Sequence, residues 1–246
     1  MSWLLPDRHQ LGVLSDRYLD TLLGDFGGLF LGLIQAPLLA LAIGAVFQNL
    51  SHDTLTLYFV LCLSAFFLGA VNASREIVKE RPLFLREKMF NLSVPSYLVS
   101  KLGVQLIFVL YQSVLLSLVP RIWVSLQVNP VGVAAVLALV SLAGTSTGLL
   151  ISAAVSTTDR AVALVPLVVI PQILFSEVVI GARKLENWTG WAEKAMPVRW
   201  GYEMMKDLRA RTIEWADVAG EALMILALAA LCHVLALILL RRARYA

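Results

Sequence analysis

Charge is what this sequence has least of. Only 15% of its 246 residues are charged, and the formal net charge is +3. A water-soluble domain of that length needs far more polar surface. The basic residues stand at the ends of apolar runs rather than in one patch, which excludes a nucleic-acid binder and fits membrane topology. Cysteine is nearly absent. Cys62 and Cys232 both lie inside apolar runs, so neither a disulfide framework nor a thiolate metal site is on offer. The lone His233 of the last apolar run reads as a packing residue rather than a proton relay. No Walker A loop occurs, so the chain cannot hydrolyse ATP by that route, and no His-Glu-x-x-His occurs either.

What is present is apolar: 59% of the residues are hydrophobic and the mean hydropathy is +0.79. About 20 such residues cross a bilayer as a helix. Six runs have that character, at 28–47 (with Pro37 inside), 54–73, 97–119, 131–155, 161–182 and 218–240. They predict an all-α, polytopic membrane protein of six transmembrane helices with both termini on one side. Residues 1–26 form a separate unit. Asp7, Arg8, Asp16, Arg17, Asp20 and Asp25 interrupt any secretory leader, while Leu11, Leu14, Tyr18 and Leu22 recur at helical spacing. This predicts an amphipathic connecting helix on the membrane surface, followed by a membrane domain over 27–246. Cytoplasmic termini would put twelve of the 20 basic residues on the inner side and eight outside.

Polar residues within the runs are few. Lys101, Gln105, Phe108 and Gln112 share one face of the third run, which should meet other helices rather than lipid. Gly144-Thr145-Ser146-Thr147-Gly148 in the fourth is a small-residue packing face. Pro166, Pro171 and Glu177 mark the fifth, and Asn187-Trp188-Thr189 fits a glycosylation acceptor. Between the second and third runs, Phe84 and Leu85 separate Lys79-Glu80-Arg81 from Arg86-Glu87-Lys88. This segment reads either as a solvated loop or as a helix whose apolar centre enters a partner's groove. Two other functions remain open at this level. A membrane-embedded lipid-modifying enzyme would need clustered polar residues at one depth; a channel or scaffold would need no ATP.

Two stretches carry a resemblance. One is Asn72-Ala73-Ser74-Arg75-Glu76-Ile77-Val78-Lys79-Glu80-Arg81-Pro82, continuing through Phe84-Leu85-Arg86-Glu87-Lys88 and Asn91-Leu92-Ser93 to Lys101. The other is Trp188-Thr189-Gly190-Trp191 with Met196-Pro197-Val198-Arg199-Trp200-Gly201-Tyr202-Glu203. Together they resemble the membrane domain of ABC-2 type transporters, nearest the ABCG-like branch that includes bacterial proteins joining a forkhead-associated domain to an ATPase. The resemblance implies a permease exporting an amphipathic or lipidic substrate from a bacterial inner membrane. It implies an external re-entrant segment between the fifth and sixth spans. It also implies a homodimer among membrane lipids, and an ABC ATP-binding partner on another polypeptide or domain. That partner, not this chain, would bind ATP and Mg²⁺. By the same resemblance Glu76, Glu80, Phe84, Leu85, Arg86 and Glu87 couple the permease to the ATPase. Phe59, Phe66, Leu174 and Phe175 line the substrate path.

Overall fold

The computed structural model describes residues 6–49, 54–180 and 188–243, with backbone alone for Glu177, Ile180, Trp188 and Thr189. Every regular element among them is helical. Helix α1 (Arg8–Gly24) starts where the Asp7 carboxylate accepts from the amides of His9 and Gln10. Asp25 then ends α1 and begins α2 (Phe26–Phe47), accepting from the Gly28 amide. One residue thus makes the corner between the first helix and the first long apolar one. Thr54 caps α3 (Leu55–Ala73). A 3₁₀ turn at Val78–Glu80 leads into α4 (Arg81–Met89). Ser93 caps α5 (Val94–Leu118), and Asn129 caps α6 (Pro130–Ala154). Then follow α7 (Thr158–Leu174), the short α8 (Glu177–Ile180) and α9 (Trp188–Lys194), α10 (Pro197–Arg209) and α11 (Trp215–Arg242). Each side-chain cap satisfies an amide that the helix leaves without a partner.

Helices α2, α3, α5, α6 and α11 are each long and apolar enough to cross a membrane. They match five of the six apolar runs to within a few residues. The fifth run differs. Its helix, α7, has 17 residues and stops before Ser176, whose hydroxyl turns back to donate to the Ile173 carbonyl at 2.6 Å. At 1.5 Å per residue that is about 25 Å of helix, short of a bilayer core of about 30 Å. The last two residues of that run lie outside the described residues.

The bundle is built on the seam between α3 and α6. There the backbones touch through glycines: a Cβ on Gly144 would sit 2.2 Å from the Phe66 carbonyl oxygen, and one on Gly69 would sit 2.3 Å from that of Ser141. Close approach of this kind is how helices associate where burial from water supplies no drive. Gly144→Val is therefore expected to push the helices apart and cost about 1–3 kcal/mol. A lower melting temperature of the purified protein in detergent checks this; an unchanged one would show the seam to be slack. Helix α10 lies across α3 and α6, with the Phe59 and Tyr202 rings edge-on at 6.0 Å. Helix α1 packs on α5 through Leu14 and Tyr18, while its Val13 and Leu23 are exposed. The polar face of α5 points inward: Lys101, Gln105, Phe108 and Gln112 are all buried.

Candidate functional site

The connection from α3 to α5 is short, charged and tied to almost every neighbour. The Ser152 hydroxyl of α6 accepts from the amides of Ile77 at 2.9 Å and Val78 at 3.0 Å, fixing the start of the turn. Arg81 donates to the carbonyls of Ala153 and Val155, at the end of α6. Lys88 Nζ donates to the carbonyls of Leu240 at 2.9 Å, Arg241 at 2.7 Å and Ala243 at 2.8 Å, at the end of α11. Both cations therefore sit where helices leave carbonyls unpaired and the backbone dipoles present negative charge. Arg17 of α1 pairs with Glu87. Asn91, at φ 68°, makes the left-handed turn that stops α4, a conformation asparagine tolerates better than most residues.

Beneath this surface lies a buried ionic network. The Tyr18 hydroxyl donates to Glu76 Oε2, and Lys79 Nζ donates to Glu76 Oε1 at 2.9 Å. Lys101 Nζ donates to Glu80 Oε2 at 2.7 Å and lies 3.6 Å from the centre of the Tyr18 ring. Burial first, and the Glu76 carboxylate second, push the Tyr18 phenol above its ordinary pKa, so it stays protonated and remains a donor. Its single proton is committed to Glu76. It must therefore accept from Gln105, whose Nε2 lies 3.0 Å away, and that fixes the orientation of the Gln105 amide. Any displacement of α4 must then be shared by α1, α5, α6 and α11, or break charge-assisted hydrogen bonds in a largely dry site.

The sequence-predicted coupling residues divide into two groups. Glu76, Glu80 and Glu87 point into the chain's own network. Phe84 is only 1% exposed, its ring 4.8 Å from that of Tyr97. The expectation that this ring enters a partner's groove is corrected on that point: it is packed inside the chain's own bundle, because the 3.6-residue repeat turns it toward α5. Leu85 is half-buried, and Arg86 is exposed. The outward stripe of the segment is Pro82, Arg86, Met89 and Phe90, with Met89 66% and Phe90 81% exposed. Their spacing was a signal present in the sequence. Phe90 also borders an open groove against His9, Val13 and Arg17 of α1.

The path residues are placed unevenly. Phe59 is buried against Tyr202, and Phe66 is fully buried in the α3–α6 seam, so neither borders open space. Phe67 and Phe175 are half-buried, and Leu174 is exposed. The side chains of Glu177 and Thr189, and all of Asn187, lie outside the described residues. Gly144-Thr145-Ser146-Thr147-Gly148 has the spacing of a hydrolase nucleophile turn, yet it lies inside α6. Ser146 there is buried and donates to the Leu142 carbonyl at 2.9 Å, which leaves no exposed nucleophile.

No curated protein matches the chain. The family model described as ABC-2 type transporter matches residues 9–208, from the start of α1 to the end of α10. The match spans most of the chain, α4 and its tethers to α1, α5 and α6 included, and the chain belongs to the ABC-2 type transporter family as the membrane-spanning permease component of an ABC transporter.

Proposed function

We propose that the α4 segment is the docking element for an ABC ATPase and that it relays ATPase closure to the spans. The observation that carries this reading is the two-sidedness of residues 76–90. Their inner side is bonded to α1, α5, α6 and α11, while Arg86, Met89 and Phe90 face outward and are exposed among the described residues. A solvated loop has no need of two adjacent exposed apolar side chains at its tip; a docking helix does. In this reading ATP favours one state of the ATPase pair, and the docked α4 segments carry that preference into the bundle. Two copies of the permease pair, with the ATPases on the cytoplasmic side and both permease termini facing them. The path between the copies exports an amphipathic or lipidic substrate. In this reading Leu174 and Phe175 border it, with the half-buried Phe67 in place of the buried Phe66. The test is co-purification of the chain with a candidate ATPase, followed by an assay for substrate-stimulated ATP hydrolysis. A permease that never retains an ATPase, or an ATPase indifferent to its presence, would sink the proposal.

A further inference from the structure

The corner at Asp25 closes over the end of α3 and the middle of α5 and leaves a cleft of about 140 Å³, open on one side. Phe108 supplies an apolar wall, and Asp25, Asn72, Arg75 and Gln105 supply polar groups. Glu76 and Lys79 also border it, but they pair with each other. The other four keep unspent bonding capacity. The Arg75 guanidinium has no hydrogen bond or ion pair among the described residues. Asn72 Nδ2 is buried without an acceptor. Gln105 is 2% exposed, and its Oε1 has no donor because the Tyr18 bond holds the other end of its amide. Among the described residues, the exposed Asp25 carboxylate accepts only from the Gly28 amide, at 3.0 Å. Buried donors and acceptors are rarely left unpaired, so Asn72 Nδ2 and Gln105 Oε1 point to a polar ligand, with the half-buried Arg75 and the exposed Asp25 at its rim to supply charge.

That ligand must bring negative charge and acceptors to Arg75 and Asn72. It must bring positive charge and N–H donors to Asp25 and Gln105. We infer that the cleft binds the phosphoethanolamine headgroup of a membrane lipid, its phosphate against Arg75 and Asn72 and its ammonium against Asp25 and Gln105. A choline headgroup carries the charge but no N–H to offer Gln105, and a glycerol headgroup has no cation for Asp25. A lipid is favoured over a soluble zwitterion by position. The cleft sits at the corner between α1 and α2, and an α1 that lies on the membrane surface, as its pattern predicts, puts that corner at headgroup depth.

The test is native mass spectrometry of the purified full chain with added phosphatidylethanolamine, phosphatidylcholine or phosphatidylglycerol. Phosphatidylethanolamine adducts should survive at about tenfold lower lipid concentration than the other two, the scale of one charge-assisted hydrogen bond. Arg75→Gln should weaken that retention about tenfold. Asp25→Asn keeps the cap on Gly28 and should erase the preference over phosphatidylcholine. Equal retention of the three lipids by the unaltered chain overturns the inference, as does retention undiminished in both variants. Soluble phosphoethanolamine that displaces the lipid at matching concentration would overturn the lipid assignment. Binding is measured without an ATPase, so failure here leaves the docking proposal standing.

Discussion

Lys101→Met is expected to destabilise the permease by about 3–5 kcal/mol, the cost of stranding one charge of a buried pair. The Lys101 and Glu80 side chains are 2% and 14% exposed and meet at 2.7 Å, so little water can reach Glu80 once its partner is gone. The ammonium also lies over the Tyr18 ring, and that attraction adds about 2 kcal/mol where the cation is desolvated. Methionine keeps most of the volume and removes the charge, so the loss reports electrostatics rather than a cavity. Lys101→Met combined with Glu80→Gln should regain much of the stability, because a neutral pair strands no charge. Unfolding of the four proteins in detergent, analysed as a double-mutant cycle, measures the coupling. Near-additive losses would show that the two side chains do not hold each other.

The helices and the buried polar face of α5 were readable from spacing and hydropathy, and the reason is local. Apolar runs of about 20 residues have one stable form in a bilayer, since every backbone amide must be satisfied within the segment. Lys101, Gln105 and Gln112 recur on one face, and lipid excludes such a face. The destinations of the loop cations were not readable. Lys88 ends on carbonyls of α11, 152 and more residues away, and Arg81 on the end of α6; no pattern within the loop names those partners. The length of α7 was misread for a related reason. Hydropathy continues past Leu174, whereas the helix stops before Ser176.

The docking segment shows the same limit at the scale of one helix, and it yields the sharpest contrast. Phe84 and Phe90 lie six residues apart in the same charged stretch, and composition cannot rank them. The α4 repeat decides: it turns Phe84 onto Tyr97, and Asn91 ends the helix with Phe90 still facing outward. Phe84→Ala should therefore empty a site within the permease and cost about 3–5 kcal/mol of stability. Any loss of coupling in that variant would follow from the damaged fold. Phe90→Asp should leave the melting temperature unchanged, because an 81% exposed ring contributes little to the isolated chain. If the outward stripe docks an ATPase, the same change places a charge in an apolar contact. Complex formation should then fall by about 10- to 100-fold, the scale of losing one well-buried aromatic anchor. The measurement pairs thermal unfolding of each permease variant alone with its retention of the ATPase through purification. A Phe90→Asp permease that keeps its ATPase and transports at the wild-type rate would remove the stripe from the docking surface. A Phe84→Ala permease as stable as wild type would show that its ring is not the packing residue its contact with Tyr97 makes it.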